Sequence, residues 1–331
     1  MAFRTELEGM DLAFNDEQRV LHDAIVQIVT PHMDIPRSGP TVKPVEFMYA
    51  DRLDHELAEG EFFSIALIDG CGLLEAAMLV YETARAPLVI EAAGSALIGA
   101  LLTGEALPRP VAVARMEDLP RAVRFLDRAR TLIVDMGDDV AIVSTDGLPI
   151  APVHTMFAYP MGRVLEKVDL SGSRRLGPSA VPRLRHLCRL AIALETAGAM
   201  QSAIDFTTQY VKDRRVFGRP VGSFQAVQHR LAADLQKARG CYWLAMRAAW
   251  SDVPADAEIA TLYAQRAIKA VNYDTHQFNG ALGMTLEHAL HFWTFRLRIL
   301  QGELGGARAQ ATTLAETMWG DPSSVPVPVS R

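Results

Sequence analysis

The chain has 331 residues, half of them hydrophobic, and a formal net charge of −6. It is long enough to bury a full core and to contain two or three packed units, and its acidic balance disfavours nucleic acid as the main partner. Three widely spaced cysteines indicate a reducing cytoplasm without structural disulfides. No signal-type segment opens the sequence, and its most apolar stretch, residues 88–102, is too short to span a bilayer. We therefore expect a cytoplasmic protein without membrane contact.

The first 105 residues predict a set of helices. Asn15 and Gln18 have the spacing of a capping box, in which each side chain bonds the backbone N–H of the other residue. A second helix is predicted over residues 51–59, and two apolar helices over 73–84 and 88–103. Pro87 would occupy the first position of the last of these helices, where no N–H is needed.

Residues 106–170 predict short strands. Runs rich in β-branched residues begin at Val111, Thr131 and Val140, and Gly137 and Gly147 punctuate them as turns. Only four or five short strands fit here, so the segment should lean on the helical parts of the chain. Residues 171–178, rich in Ser, Gly and Pro, predict a linker.

The remainder predicts an antiparallel four-helix bundle. Three long helical stretches cover about 182–214, 223–250 and 256–280, with Pro254 near the start of the third. A fourth runs from about 287 to 319 and is broken near Gly302 and Gly305. The predicted fold is mainly α with a small β domain: a helical N-terminal domain (1–105), a reduced β domain (106–176), a C-terminal bundle (177–320) and a flexible tail (321–331).

The junction between the first two bundle helices carries the sequence Arg214-Arg-Val-Phe-Gly-Arg-Pro-Val-Gly-Ser-Phe-Gln225. Its arginines supply positive charge, Phe217 a flat apolar surface, and Gln225 a directional amide. This combination favours a phosphate-bearing cofactor, since guanidinium groups bind phosphate through paired charge-assisted hydrogen bonds. Taken alone, the arginines could also be a solvated helix end that the helix dipole stabilises.

Together with Gln277-Phe-Asn-Gly-Ala-Leu-Gly283, which is similar to a Gln-x-x-Gly-Gly-x-Gly loop, this junction resembles the acyl-CoA dehydrogenase family. The resemblance covers nearly the whole chain and implies FAD at a subunit interface, reached by the two segments from neighbouring chains. It implies that Arg214 contacts the pyrophosphate, Phe217 packs on the dinucleotide portion, and Gln225 helps to position the cofactor.

From the neighbouring chain, Gln277, Gly280 and Ala281 would line the other side of the FAD. Ala281 replaces a glycine of the family pattern, which would tighten the approach of the backbone. Val216 stands where many relatives have a hydroxyl or amide, so one flavin contact is expected to be lost. His288 and His291 lack a third ligand nearby, so we predict no metal site.

The resemblance also identifies where the catalytic base should be. The family places this glutamate at one of two positions, which here are Leu304 and Cys188. Glu303 is one residue away, a rotation of about 100° in a helix, although the flanking glycines make an irregular backbone possible. Glu195 lies about 10 Å along the helix from Cys188, where a buried structural hydrogen bond is the favoured role. Glu303 is therefore the candidate base within this chain.

A flavin-contacting strand of the type Thr-Glu-Pro-x-x-Gly-Ser-Asp is missing between residues 108 and 168. The resemblance thus implies the short subunit of a heterotetrameric (α2β2) bacterial acyl-CoA dehydrogenase acting on steroid-CoA thioesters. A longer partner subunit would bring the strand and the base. The expected reaction is α,β-dehydrogenation of a bulky acyl-CoA, such as a steroid side-chain thioester, with electrons passing to an electron-transfer flavoprotein or similar acceptor. Two alternatives stay open: a self-sufficient homo-oligomeric dehydrogenase using Glu303 as base, and a non-catalytic, flavin-free scaffold.

Overall fold

The computed structural model describes residues 13–35, 49–157 and 159–320. The predicted tail at 321–331 lies outside the described residues. The fold is mainly α with a small β region, as expected, and the domain boundaries placed near residues 105 and 176 stay predictions. Among the described helices, none is both long enough and apolar enough to cross a membrane.

The first three helices agree closely with the sequence pattern. They are α1 (Asp16–Val29), α2 (Asp51–Glu59) and α3 (Leu73–Arg85). The Asn15 side chain accepts from the Gln18 N–H at 2.8 Å, and the Gln18 side chain accepts from the Asn15 N–H at 3.1 Å. The capping box is therefore confirmed, and it satisfies two N–H groups that the helix itself cannot pair.

The predicted helix over 88–103 is wrong in its first five residues, 88–92. Val89 is extended and forms a parallel bridge with Tyr49, so Pro87 precedes an extended segment and does not open a helix. A π-helix (Ala93–Gly99) follows and leads into α4 (Ala100–Thr103). The helix starts late because the buried carboxylate of Glu91 accepts from both the N–H and the hydroxyl of Ser95 and so shapes the start of the π-helix.

Among the described residues between 106 and 176, seven short strands form two sheets, more than the four or five predicted. They are β1 (Val111–Arg115), β2 (Val123–Arg124), β3 (Thr131–Asp135), β4 (Val140–Ser144), β5 (Ile150–Pro152), β6 (Met161–Val164) and β7 (Arg174–Arg175). One sheet has the order β1-β3-β4-β7 and the other β2-β6-β5; β1 and β3 pair in parallel, and the other described pairs of these two sheets are antiparallel. The predicted linker 171–178 thus contributes β7, because its backbone pairs with the edge of β4.

The C-terminal helices are α5 (Ala180–Asp213), α6 (Gln225–Ser251), α7 (Pro254–Asn279), α8 (His291–Leu300) and α9 (Gly306–Trp319). Pro254 opens α7, as predicted. The predicted break in the fourth helix is a short 3₁₀ turn in which Leu304 has a φ of 51°. Helix α5 is central: it packs on α3, α6, α7 and α8, and most of its residues are buried.

The two ends of α5 have different neighbours. Near its C-terminal end, the Asn279 side chain of α7 donates to the Thr207 hydroxyl at 2.9 Å. Arg230 of α6 and Asp274 of α7 form an ion pair in the same part of the bundle. The α5–α6 junction and the end of α7 therefore share one end of the bundle. The first half of α5 instead faces the sheets and the break between α8 and α9.

Candidate functional site

The α5–α6 junction is a tight β-hairpin, a form that the sequence pattern did not predict beyond a turn. Strands β8 (Arg215–Val216) and β9 (Arg219–Pro220) pair in antiparallel fashion. Phe217 and Gly218 form the tip, with φ angles of 54° and 79°. Two positive φ angles are the signature of the hairpin turn whose twist matches that of its strands. Phe217 is unusual here, because a bulky side chain rarely adopts this conformation.

The hairpin presents charge and an aromatic ring to solvent. Arg214 and Arg215 are exposed, and within the described parts of the chain no carboxylate lies within ion-pair distance of either. Phe217 is 91% exposed. Gln225 is exposed at the start of α6, whose N-terminus has no side-chain cap. Free cations, uncapped helix N–H groups and a bare ring fit the anionic, dinucleotide part of FAD.

The loop after α7 lies at the same end of the bundle. Gln277, Gly280 and Ala281 are all exposed, and Gly280 has a φ of 63° and a ψ of −150°, a conformation that suits glycine. Ala281 has ordinary helical angles (φ −59°, ψ −35°), so its side chain adds no backbone strain. His288 stacks edge-on against Tyr210, with ring centroids 5.3 Å apart, and so serves packing. Within the described ranges, no group of three His, Cys, Asp or Glu side chains could hold a metal ion.

A cavity of about 580 Å³ lies at the other end of α5. The first half of α5, strands β1 and β2, the π-helix and the turn at 302–305 enclose it. Its apolar wall includes Ile98, Val113, Phe125, Ile192 and Ile299. The π-helix packs closely on β1 because Gly94 has no side chain: a Cβ there would come within 2.4 Å of the Val111 carbonyl oxygen. The volume suits a small-molecule ligand.

Leu304 and Cys188, the two positions where the sequence resemblance places the base, both line this cavity, and neither carries a carboxylate. Leu304 is held in the left-handed conformation between two glycines of the turn. Burial raises the pKa of the Cys188 thiol to about 12, so Cys188 remains protonated near neutral pH. The cavity therefore has the shape of a reaction site but no base at either expected position.

Glu303 and Glu195 also line the cavity, where Arg124 of β2 binds them both. Arg124 Nε and Nη2 donate to the two oxygens of Glu303, at 2.5 and 2.9 Å. Its Nη1 donates to the two oxygens of Glu195, at 3.1 and 2.9 Å. The guanidinium also lies 4.8 Å from the centre of the Tyr159 ring. The sequence gives no signal for Arg124, because a single arginine in a short strand has no diagnostic spacing.

One guanidinium faces two carboxylates at the cavity wall, where burial disfavours charge. Burial raises the pKa of Glu195, and the nearby charge of Glu303 acts in the same direction, while Arg124 opposes both. Burial also works against the charge of Arg124, but the two carboxylates raise the Arg124 pKa well above its ordinary value. Arg124 is therefore a permanent cation whose donors are used by the cavity's own carboxylates.

The exposed end of the bundle and the cavity are far apart. Cys188 lines the cavity and Asp213 precedes the hairpin, both in the single helix α5. At a rise of 1.5 Å per residue, the helix separates these two residues by about 38 Å. One chain thus cannot bring its hairpin and its cavity to the same reacting atoms.

Comparisons with known proteins agree with this architecture. The family model described as acyl-CoA dehydrogenase, C-terminal domain, matches residues 183–318. Acyl-CoA dehydrogenase IpdE2 of Mycolicibacterium smegmatis is 29% identical over 246 residues, 70% of this chain and 78% of that protein. Acyl-CoA dehydrogenase FadE27 of Mycobacterium tuberculosis is 30% identical over 223 residues, 60% of this chain and 58% of that protein.

Solved structures confirm the fold. A chain of the Tcur3481-Tcur3483 steroid ACAD aligns with a TM-score of 0.77 at 24% identity, covering 91% of this chain and 97% of that one. A chain of the ChsE4-ChsE5 complex from Mycobacterium tuberculosis aligns with a TM-score of 0.73 at 20% identity, covering 96% and 100%. The fold, the family model and the curated relatives point to the same conclusion. Residues 183–318 therefore match an acyl-CoA dehydrogenase C-terminal domain, and the chain as a whole is similar to acyl-CoA dehydrogenases in sequence and in fold.

Proposed function

We propose that this chain is one subunit of a hetero-oligomeric, FAD-dependent acyl-CoA dehydrogenase. It lends its hairpin, or the loop after α7, to FAD sites that a longer partner subunit completes with the catalytic base. The reaction is α,β-dehydrogenation of a bulky acyl-CoA: the base removes an α-proton, and FAD, when bound, accepts the β-hydrogen as hydride. The observation that carries this proposal is that the cavity, about 38 Å along α5 from the hairpin, has no carboxylate at Cys188 or Leu304 and its Glu303 is bound by Arg124.

The residues at the exposed end of the bundle have roles that follow from their placement. Arg214 offers an unpaired guanidinium for the pyrophosphate, and Phe217 offers a ring face for the dinucleotide. Gln225 stands beside the free N–H groups that open α6. On the other segment, Gln277 and the backbone around Gly280 and Ala281 are open to a second chain. An exposed cluster of this kind, whose positive charge no nearby carboxylate of the described residues balances, suits a site that another subunit covers.

The cavity supports the same assignment of roles, with cofactor contacts from this chain and the base from its partner. A base must reach the α-carbon with a free carboxylate, and geometry is its first requirement. Leu304 and Cys188 carry no carboxylate, and both oxygens of Glu303 accept hydrogen bonds from Arg124. This chain therefore provides cofactor contacts, whereas the proton abstraction takes place on its partner.

Relatives suggest the assembly and the substrate class. The ChsE4-ChsE5 and Tcur3481-Tcur3483 structures each contain two differently named chains, and the latter is described as a steroid ACAD. By analogy, we propose a different, longer partner for this chain, a steroid-like acyl-CoA substrate, and an electron-transfer flavoprotein or similar acceptor.

The test uses this chain co-expressed with the longer acyl-CoA dehydrogenase homologue encoded nearest to it. Arg214→Ala should lower the FAD affinity of the purified complex about tenfold or more, because a charge-assisted hydrogen bond is worth about 1.5–3 kcal/mol. Arg298→Ala is the matched control: this exposed arginine lines the cavity, far from the hairpin. FAD affinity that is unchanged in Arg214→Ala would contradict the proposal.

A self-sufficient dehydrogenase using Glu303 is the second candidate, favoured by the position of this carboxylate in the cavity beside Leu304. Glu303→Gln removes the carboxylate next to Leu304, one of the two expected base positions. Because the proposal places the base on the partner subunit, we expect turnover of the complex to stay within about threefold of the unmodified enzyme. If Glu303 were the base, its loss would lower turnover by on the order of 10²–10⁴-fold. A loss of two orders of magnitude would support the second candidate. A flavin absorbance band in the purified complex excludes the flavin-free scaffold.

A further inference from the structure

Arg124 occupies a special place in the cavity of this chain. It reaches from β2 across to α5 and to the turn between α8 and α9, and its side chain is only 16% exposed. Its contacts on both sides are carboxylates, with Glu195 on α5 and Glu303 in the turn. The guanidinium therefore sits at the inner wall of the cavity, beside both positions where the family has its base.

The turn that carries Glu303 is fixed from several sides. The Gln265 side chain donates to the carbonyl oxygens of Leu300 and Glu303, at 3.0 and 2.9 Å. The Gln310 side chain donates to the Leu304 carbonyl at 2.8 Å. The backbone of the turn is thus held in place, and the remaining freedom of Glu303 is the rotation of its side chain. The two-point contact with Arg124 removes that freedom as well.

Other cations of the cavity do not make this contact. Arg185 is paired with Asp135, Arg115 and Arg121 are both paired with Asp118, and Arg298 is exposed at the cavity edge. A guanidinium can form a planar fork with a carboxylate, which a simple ammonium cannot do. The arrangement around Glu303 therefore depends on one residue, Arg124.

We propose that Arg124 is a lock on Glu303: it positions the carboxylate in a two-point ion pair on the cavity wall and so withholds it from proton abstraction. This inference rests on the proposed function and names the residue that keeps this chain's own cavity inactive. Arg124 acts through Glu303 and is thus a positioning residue. A carboxylate whose two oxygens both accept from Arg124 cannot turn toward an α-carbon in the cavity without first breaking that ion pair.

The test measures the chemical accessibility of the Glu303 carboxylate in the purified full-length chain, without substrate or flavin turnover. A water-soluble carbodiimide couples glycine ethyl ester to carboxylates, and peptide mass spectrometry gives the rate at each glutamate. The exposed Glu316 of α9 is the internal reference. We expect Glu303 to react at least tenfold more slowly than Glu316 in the unmodified chain, and at least fivefold faster in Arg124→Met than in the unmodified chain.

Matched variants separate the lock from a general change in the cavity. Arg298→Met removes another cavity arginine and should leave the Glu303 rate unchanged. Arg124→Lys keeps the charge but loses the fork, and should give an intermediate rate. If circular dichroism shows that Arg124→Met does not fold, the double variant of Arg124→Met with Glu195→Gln takes its place. The double variant leaves one unpaired carboxylate in the cavity where the single variant leaves two.

Equal Glu303 rates in the unmodified chain and in the Arg124 variants would overturn the lock. So would an equal increase in Arg298→Met. Such a failure can be told apart from a failure of the proposed function, because the flavin content and turnover of the complex could still follow the expectations for Arg214→Ala and Glu303→Gln.

Discussion

Replacing Arg124 by methionine should destabilise the protein strongly, because it removes the one cation between two carboxylates. Glu195 is nearly buried, with 9% of its side chain exposed, and Glu303 has 26% exposed. Removing one partner of a buried ion pair costs about 3–5 kcal/mol. Because Glu303 retains some contact with solvent, we expect a loss near the lower end, about 3 kcal/mol. That is a large part of the total stability of roughly 5–15 kcal/mol typical of folded proteins.

Urea unfolding, followed by circular dichroism, measures this loss at neutral pH. The informative comparison is a triple variant, Arg124→Met with Glu195→Gln and Glu303→Gln, in which neutral groups replace all three charges. We expect the triple variant to regain about 2 kcal/mol or more relative to Arg124→Met, because unpaired buried charge causes most of the loss. An Arg124→Met chain as stable as the unmodified protein would refute this account. So would a triple variant no more stable than the single one.

Three further predictions concern other parts of the chain. Phe217→Asn should raise stability by up to about 1 kcal/mol in urea unfolding, since Asn tolerates a positive φ, while lowering the flavin content of the complex; reduced stability would contradict the strain argument. Gly198→Ala should cost about 1–3 kcal/mol, because its Cβ would lie 2.5 Å from the Tyr81 carbonyl oxygen; an unchanged melting temperature would count against the close α3–α5 contact. The hydrogen bond to Glu82 raises the pKa of His22. The contribution of protonated His22 to the stability of the folded protein is therefore complete below about pH 6.5 and disappears as pH rises through the pKa of His22 in the folded state. His22→Gln should therefore flatten the fall in melting temperature between about pH 6 and 8, and an unaltered pH dependence would exclude this role.

Features set by neighbouring residues could be predicted from the sequence. The Asn15–Gln18 capping box, the helix over 51–59 and the opening of α7 at Pro254 all depend on residues within one helical turn. The strands beginning at Val111 and Thr131 were likewise evident from β-branched runs. Local preferences and tertiary structure agree at these places.

Features set by distant residues could not be predicted. The apolar segment after Pro87 resembles a helix start, but pairing of Val89 with Tyr49 keeps it extended. Arg124 is 71 residues from Glu195 and 179 from Glu303 along the chain, so no local pattern reveals their contact. The sequence could identify the two expected base positions as non-acidic, whereas the ion pairs of Glu195 and Glu303 with Arg124 appear only in three dimensions.

The central claim is that this chain holds part of an FAD site that a different subunit completes. The most direct measurement is the mass and flavin content of the chain purified alone and after co-expression with its longer homologue. We predict a hetero-oligomer that contains FAD and dehydrogenates acyl-CoA, whereas the chain alone retains little FAD and shows no turnover. A chain that alone binds one FAD per subunit and turns over acyl-CoA, or a homo-oligomer that gains no flavin on co-expression, would contradict the account.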